Sequence, residues 1–300
     1  MEFGRRPVQV TVPATSANLG PGFDTFGLAL GRYDVVTAAV VPSGLRIEVS
    51  GQGADQVPLD ERHLIIRAMR ATFDRLGGQP EGLQLQSLNR IPHGRGLGSS
   101  AAAIVAGVEL ARSLVTGGRT RLDDRDALAL ASAIEGHPDN VAACLLGGLT
   151  LAWTAEGGAG TAIRLDPLRI RPVIFVPTEQ SDTHAARAAL PQTVPHADAA
   201  FNAGRAALLV VALTGRPELL GIATEDRLHQ GYRADAMPAS SALLAALRGA
   251  GLPAVISGAG STVLAMARTD DELNSALGLA PKGWECLELP VAEGARAIEL

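Results

Sequence analysis

Residues 91–103, IPHGRGLGSSAAA, have the composition of a phosphate-binding loop. Three glycines alternate with other residues, and glycine permits positive φ and a close approach of backbone N–H groups to a ligand. Ser99 and Ser100 follow where a helix N-cap would stand, before an alanine-rich run of helix formers. The first amides of a helix lack internal partners and the helix dipole is positive there, so the stretch predicts an anion site suited to phosphates. The alternative is a turn that only begins a core helix.

The chain lacks the lysine that many phosphate loops use. No Gly-x-x-x-x-Gly-Lys-Ser/Thr sequence occurs, and the only lysine is Lys282, in a Pro-Lys-Gly turn. A Walker-type or protein-kinase lysine is therefore excluded. Phosphate bound at residues 91–103 would be neutralised by backbone amides, hydroxyls, arginines and a metal ion.

A second polar cluster lies immediately before an apolar run and contains Glu135, His137, Asp139 and Asn140. Polar groups crowded against an apolar segment indicate a site, although a helix-ending turn with solvated charges is the alternative. The spacing does not match a His-x-x-x-His or His-Glu-x-x-His zinc site. Mg²⁺ prefers carboxylates, phosphate oxygens and water, so Glu135 with one of the two loop serines suits magnesium better.

Residues 14–30, ATSANLGPGFDTFGLAL, place polar side chains around a Gly-Pro-Gly turn. Such a turn brings its flanking residues together. We therefore expect Asn18 and Asp24 to line a substrate pocket that faces the phosphate loop. In the alternative interpretation this is a polar hairpin loop in which Asp24 is only a turn former.

Motifs in five parts of the chain, in the same order, resemble those of homoserine kinases, a family of the GHMP small-molecule kinase superfamily. One is Thr-x-x-x-Arg before Leu-Pro, matched by Thr183 and Arg187. Residues 92–101 resemble the superfamily's second motif, Pro-x-x-x-Gly-Leu-Gly-Ser-Ser-Ala, without a break. Residues 15–24 are similar to the first homoserine kinase motif, Thr-Ser-Ala-Asn-Leu-Gly-x-Gly-Phe-Asp. Residues 135–140 match Glu-Gly-His-Pro-Asp-Asn of many bacterial members. The glycines of residues 258–262 resemble the third motif, Gly-x-Gly-Pro-Thr, with Ser261 where proline is usual.

The resemblance implies an α-amino acid pocket. Its substrate-binding residues would be Asn18, Asp24, His137, Asp139, Asn140, Thr183, Arg187, Arg233 and Gly260. Arg187 and Arg233 would bind the carboxylate, which a planar guanidinium can hold by two hydrogen bonds. Asp24 and Asp139 would face the ammonium group, and Asn140 would orient the reacting hydroxyl. Taken alone, Arg187 on its short predicted helix could equally be a solvated arginine.

The resemblance also implies the nucleotide and metal ligands. The implied ATP-binding residues are Pro92, His93, Gly94, Arg95, Gly96, Leu97, Gly98, Ser99, Ser100, Ala101 and Ala102. Mg²⁺ would be held by Glu135 and Ser100, with Ser99 as the alternative serine. The implied catalytic residues are Asn140, Asp24 and Glu135. Because phosphoryl transfer depends mainly on positioning and charge neutralisation, no general base is required: the γ-phosphate can accept the proton.

Composition limits the class of protein. With 300 residues and 47% hydrophobic residues the chain can form one large or two ordinary domains. A net charge of −5 without a long basic run argues against nucleic acid as a partner. The N-terminal residues lack the apolar core of a signal peptide, and no apolar stretch reaches the roughly 18–20 residues of a membrane span without interruption. We expect a cytoplasmic protein that does not bind a membrane.

The fold implied by the resemblance is α+β with two domains. Residues 1–157 would form an ATP-binding domain, ribosomal-protein-S5-domain-2-like, with a left-handed βαβ crossover. Residues 158–300 would form a ferredoxin-like C-terminal domain. Local patterns predict that the first strand breaks at Pro13 and that 285–289 is the last strand.

The implied activity is ATP-dependent phosphorylation of the side-chain hydroxyl of L-homoserine to O-phospho-L-homoserine, in threonine biosynthesis, by a homodimer. Two alternatives stay open. One is another GHMP-type kinase of a small alcohol, and the other is a non-catalytic nucleotide-binding regulator of the same fold.

Overall fold

The protein contains two β-sheets with helices packed against them. The computed structural model describes residues 1–179 and 183–300, with the backbone only for 183–185. The strands are β1 (Val8–Ala17), β2 (Phe26–Val41), β3 (Gly44–Gly51), β4 (Gly82–Asn89), β5 (Leu149–Thr154), β6 (Gly160–Leu165), β7 (Arg171–Val176), β8 (Ala254–Ile256), β9 (Val263–Ala267), β10 (Glu285–Glu288) and β11 (Arg296–Glu299). The α-helices are α1 (Leu64–Leu76), α2 (Ser99–Leu114), α3 (Gly118–Arg121), α4 (Asp124–Glu135), α5 (Asp139–Leu146), α6 (Thr183–Ala188), α7 (His196–Thr214), α8 (Leu220–Ala223), α9 (Pro238–Gly249) and α10 (Asp270–Gly278).

The first sheet is organised around the long strand β2. Its C-terminal part pairs with β4, its first residues pair with β5, and β1 runs antiparallel along most of its length. The predicted break at Pro13 is wrong: β1 continues to Ala17 with a register shift between Pro13 and Ala14. A bulge accommodates the residue that cannot donate a ladder hydrogen bond, so the strand bends without ending.

A parallel β3–α1–β4 unit delivers the chain to the phosphate loop. β3 and β4 pair in parallel from Gly44 opposite Gly82, and α1 connects them. The hand of this crossover stays a prediction. α2 packs on α1 closely at Gly107, where a Cβ would lie 2.5 Å from the carbonyl oxygen of Ile65. α2 lies against β1, and both helices contribute to the apolar core, which fixes the beginning of α2 relative to the sheet.

The second sheet has the order β10-β7-β9-β8 and is antiparallel throughout. α9 and α10 pack against it around buried residues such as Leu247 and Ala276. The prediction that 285–289 is the last strand is wrong, because β11 follows and pairs with β1 of the first sheet. Its short, polar sequence gives little strand signal before a partner is known.

The predicted domain boundary between residues 157 and 158 stays a prediction. Two strands on its C-terminal side, β6 and β11, belong to the first sheet. The α+β character of the chain is confirmed by the two sheets and their covering helices.

Helix α7 is long and apolar enough to cross a membrane by length and composition, and within the described part of the chain it is the one helix of this kind. Such a helix is weak evidence for a membrane span. Here it contributes to the packed structure: Asn202 is buried and donates from Nδ2 to the carbonyl oxygen of Pro21, 2.9 Å away. Its contact with the Gly-Pro-Gly turn makes α7 a support of the site.

An ion cluster with a buried centre joins α2 to α3 and to the start of α4, where Asp124 Oδ1 lies 2.6 Å from Arg112 Nη2. Glu109 is fully buried beside the buried guanidinium of Arg112, and its Oε2 lies 2.7 Å from Arg119 Nη1. We expect Glu109→Ala to lower the free energy of unfolding by about 3 kcal/mol, because removal of one partner leaves a buried charge poorly compensated. Urea denaturation measures the loss. Glu48→Ala, at an exposed position of β3, is the control, and a loss below about 1 kcal/mol for Glu109→Ala would contradict the expectation.

Candidate active site

The phosphate loop connects β4 to α2 in the conformation that its glycines predict. Gly94, Gly96 and Gly98 have φ values of 62°, 73° and 70°. The predicted N-cap position of the serines is wrong: Gly98 is the N-cap of α2, in the left-handed region, and Ser99 and Ser100 are the first residues of the helix. The free N-terminal amides of a 16-residue helix therefore end at the loop. This arrangement has the polarity that an anionic group requires.

The segment from Ser257 to Gly260 packs against the loop from the other side. A Cβ on Gly96 would lie 2.2 Å from the carbonyl oxygen of Ser257 and 2.7 Å from that of Gly260. Ser257 Oγ is 2.6 Å from the carbonyl oxygen of Gly96 and 2.8 Å from Oγ of Ser16. The three glycine-rich motifs predicted from sequence are thus joined in one buried contact.

Two charged side chains fix the phosphate loop, one at its start and one at its middle. Asp34 of β2 accepts hydrogen bonds from the backbone N–H groups of Arg90 and Ile91, at 2.5 and 2.8 Å. Arg95 donates to the carbonyl oxygens of Pro177 and Thr178, at 2.9 and 2.5 Å. Its guanidinium therefore ties the loop to the end of β7, and the predicted role of Arg95 toward ATP stays a prediction.

Ser100 and Glu135 form an oxygen-rich pair beside the loop. Ser100 Oγ donates to Glu135 Oε1 over 2.6 Å. Burial raises the pKa of Glu135, and the hydrogen bond from Ser100 opposes that rise. A half-buried carboxylate next to a hydroxyl at a helix N-terminus is a donor set that suits Mg²⁺, which takes hard oxygen ligands.

The loop between α4 and α5 is held together by Asp139. Its Oδ1 accepts from His137 Nδ1 at 2.9 Å and from the backbone N–H of Asn140 at 2.7 Å. The carboxylate is 3% exposed. The hydrogen bond to Asp139 raises the pKa of His137. Because one oxygen of Asp139 is engaged within its own loop, the predicted contact of Asp139 with an ammonium group stays a prediction.

Asp24 and Arg187 face each other at the surface of the site. Arg187 Nη2 donates to Asp24 Oδ1 over 2.8 Å, and the two side chains are 42% and 35% exposed. Asn18 Oδ1 accepts from the backbone N–H of Asp24 at 2.9 Å. Both Asn18 and Asp24 have positive φ, 69° and 53°, an uncommon conformation for residues other than glycine. The turn therefore holds the Asp24 carboxylate in place with a strained backbone conformation.

Arg233 lies behind this pair in a buried position. Its Nε donates to the carbonyl oxygen of Ala186 over 2.9 Å, and its Cζ lies 5.6 Å from the ring centre of Phe23. Burial lowers the pKa of Arg233, and the charge of Arg187 lowers it further. The Cζ of Arg187 lies 6.0 Å from the same ring centre, so both guanidinium groups surround Phe23 and can face one anionic ligand.

His229 supports Arg233 as a neutral ring. Its Nε2 donates to the carbonyl oxygen of Gly20 over 2.7 Å, and its Nδ1 accepts from Arg233 Nη1 at 3.2 Å. These partners select the neutral tautomer with the proton on Nε2. Burial lowers the pKa of His229, although the charge of Asp226 opposes the shift.

We expect His229 to make the fold less stable in acid. Its folded pKa lies below the unfolded value, so its contribution is fully present above about pH 6.5 and is lost as pH falls. Chemical denaturation of the wild type and of His229→Gln at pH 8 and pH 5.5 tests this. The wild type should lose more of its free energy of unfolding between these values than the variant does. Equal losses would contradict the assignment.

An apolar cavity of about 250 Å³ opens beside the start of α2. His63, His93 and the two serines of the helix line it together with apolar residues from β1, β2 and α1. His63 is 4% exposed, and its Nδ1 is buried without a hydrogen-bond partner among the residues that the structure describes. The cavity is of a size and polarity that suit a planar heterocycle next to the phosphate loop.

Comparisons with known proteins agree with this geometry. The family described as GHMP kinases N terminal domain matches residues 63–148, and GHMP kinases C terminal matches residues 207–278. A homoserine kinase of Streptomyces coelicolor is 58% identical, with 97% of each chain covered. One of Streptomyces avermitilis is 59% identical over 99% of this chain and 98% of its own. The chain belongs to the homoserine kinase family of GHMP kinases.

Solved structures of kinases share the fold. Homoserine kinase from Cytophaga hutchinsonii superposes with a TM-score of 0.88 at 26% identity, covering 99% of each chain. Mevalonate kinase of L. major, solved in complex with R-mevalonate, has a TM-score of 0.70 at 17% identity, with 94% and 95% covered. The latter shows only that the fold is shared. This chain is accordingly an ATP-dependent small-molecule kinase with the two-domain α+β fold.

The structure brings together the predicted residues of this kinase site except at two points. Gly260 lies against Gly96 of the phosphate loop, so its predicted contact with the substrate stays a prediction. The side chain of Thr183 lies outside the described residues. Sequence patterns also assign no separate role to Thr15, although it begins the motif at 15–24, and they miss Asp34. Of these, Asp34 carries a usable signal, since it is a charged residue within the mostly apolar sequence of β2.

Proposed function

We propose that this kinase transfers the γ-phosphoryl group of ATP to the side-chain hydroxyl of L-homoserine, giving O-phospho-L-homoserine. The observation that carries the proposal is the Asp24–Arg187 pair, 2.8 Å apart, with the Arg233 guanidinium behind it. A zwitterionic α-amino acid can exchange partners with this pair, its carboxylate going to the arginines and its ammonium to Asp24. The exchange satisfies every charge without burying an unpaired one.

The nucleotide would lie along the phosphate loop. The backbone amides from Gly94 to Ser100 would receive the phosphates, and the cavity beside His63 would receive the base. Both features begin at the N-terminus of α2, so one molecule of ATP can occupy them together. The absence of a lysine from this part of the sequence makes the amides and the helix dipole the main protein contribution.

Mg²⁺ fits the donor set of Glu135 and Ser100. When bound, the ion neutralises charge on the β- and γ-phosphates. The protein residues supply the position of the reacting groups: Asn140, next to the loop, orients the hydroxyl. The proton of the hydroxyl can pass to the γ-phosphate itself. Asp24, engaged with Arg187, is then a binding group for the ammonium and not a base.

A substrate panel tests the proposal. ADP release is measured with ATP and Mg²⁺ against L-homoserine, L-serine, L-threonine, mevalonate and galactose. Turnover with L-homoserine well above the others is the expected result. Turnover with a different alcohol would keep the kinase and overturn the amino acid pocket. Nucleotide binding without turnover on any compound would indicate a regulator. We further propose that the protein is a cytoplasmic homodimer that acts in threonine biosynthesis. Size-exclusion chromatography tests whether it is a dimer.

A further inference from the structure

Thr15 connects three parts of the site, although no sequence motif gives it a role. It lies on β1 and is fully buried. Its backbone N–H donates to the carbonyl oxygen of Leu97 in the phosphate loop over 3.0 Å. Its Oγ1 donates to Oδ1 of Asn140 at the start of α5 over 2.8 Å. One residue of the first strand therefore binds both the loop that receives phosphate and the amide that faces the acceptor hydroxyl.

The contact is tight at Gly98, the N-cap of α2. A Cβ on Gly98 would lie 1.9 Å from Thr15 Oγ1 and 3.1 Å from Asn140 Oδ1. The hydrogen bond between Thr15 and Asn140 thus runs directly against the backbone at the helix N-terminus. Neither side chain can shift toward the loop without a clash, because buried packing leaves no spare volume there.

Two neighbours determine which way the Asn140 amide points. Asp139 Oδ1 lies 3.3 Å from Asn140 Nδ2 and, as a carboxylate oxygen, accepts but does not donate. The Thr15 hydroxyl donates on the opposite side, to Oδ1. This leaves the amide with one further proton on Nδ2 and one further acceptor position on Oδ1. Without the hydroxyl of Thr15 the Oδ1 side of the amide loses its anchor.

We propose that Thr15 is a positioning residue for phosphoryl transfer. Its hydroxyl fixes the orientation of the Asn140 amide relative to the phosphate loop. The inference rests on the proposed function, since Asn140 is the residue proposed to orient the acceptor hydroxyl. In such a reaction a shift of about 1 Å between the reacting groups costs on the order of a hundredfold in rate. Thr15 acts through Asn140 and needs no contact with either substrate.

The test is a comparison of kcat and KM in three variants and the wild type. Thr15→Val keeps the size of the side chain and removes the hydroxyl, and Thr15→Ser keeps the hydroxyl. We expect Thr15→Val to lower kcat by tenfold to about a hundredfold, with the KM for the acceptor and the Kd for ATP within about threefold of wild type. Thr15→Ser should recover most of kcat. Thr11→Val, at a half-buried threonine of the same strand, is the matched control, and Thr15→Ala replaces Thr15→Val if that variant does not fold.

A double-mutant cycle with Asn140→Ala tests whether Thr15 acts through Asn140. If Thr15 acts through Asn140, Thr15→Val has little further effect on kcat in the Asn140→Ala background. An equal loss in both backgrounds, or a Thr15→Val enzyme with the kcat of wild type, would overturn the inference. Wild-type turnover on L-homoserine tests the proposed function separately. Should the wild type prefer another alcohol, the same kcat ratios are measured on that alcohol.

Discussion

Arg187→Ala is expected to raise the KM for L-homoserine by more than a hundredfold while the Kd for ATP stays within about threefold. Loss of a charge-assisted, bidentate partner of a carboxylate costs roughly 2–5 kcal/mol, much of it from the charge left unpaired. In the free protein Asp24 Oδ1 is paired with Arg187 at 2.8 Å, so the variant also leaves the Asp24 carboxylate without this partner. Steady-state kinetics with each substrate varied in turn, together with a nucleotide-binding titration, gives both quantities.

Two further variants sharpen this measurement. Arg187→Lys keeps the positive charge but not the fork of donors, so its KM should remain well above that of wild type. Arg205→Ala removes another partly exposed arginine. Its Nε is paired with Glu225 Oε2 over 2.9 Å and not with Asp24, so this variant should leave both constants near wild type. An Arg187→Ala enzyme that loses affinity for ATP and for L-homoserine to the same extent would contradict a carboxylate role.

The parts of the site that follow from sequence are those determined locally. The glycines at 94, 96 and 98 and the two serines after them specify a loop and a helix N-terminus whatever the rest of the chain does, and the structure has both. Apolar periodicity and end residues are also local signals, as in α1, where buried apolar residues recur at helical spacing and Gly77 ends the helix in the left-handed conformation.

The parts that do not follow from sequence depend on partners distant in the chain. Thr15 and Asn140 are 125 residues apart, and His229 reaches the carbonyl oxygen of Gly20 across 209 residues. Nothing in the sequence near Thr15 distinguishes a hydroxyl that anchors an amide from one that faces solvent. For the same reason β11 is missed: its pairing with β1 exists only once the two ends of the chain meet.

Glu135→Gln is expected to lower kcat by about a thousandfold at saturating substrates and to raise the Mg²⁺ concentration required for activity. Gln keeps an oxygen that can accept from Ser100 Oγ, 2.6 Å away in the wild type, so the local hydrogen bond can persist. What it removes is the negative charge that a divalent ion needs. Metal-ion stabilisation of a phosphoryl transition state amounts to several kcal/mol, and each 1.36 kcal/mol is tenfold in rate. Titration of kcat against Mg²⁺ measures both effects.

Controls separate the charge from the shape of the Glu135 side chain. Glu156→Gln makes the same chemical change at an exposed position of the β5–β6 turn and should leave kcat and the Mg²⁺ requirement unaltered. Ser100→Ala should share the raised Mg²⁺ requirement, whereas Ser99→Ala should not, if Ser100 is the metal serine. A Glu135→Gln enzyme with at least a third of the wild-type kcat and an unaltered Mg²⁺ requirement would refute the assignment. Glu135 would then be only the hydrogen-bond acceptor of Ser100, a role in which an amide oxygen serves as well as a carboxylate.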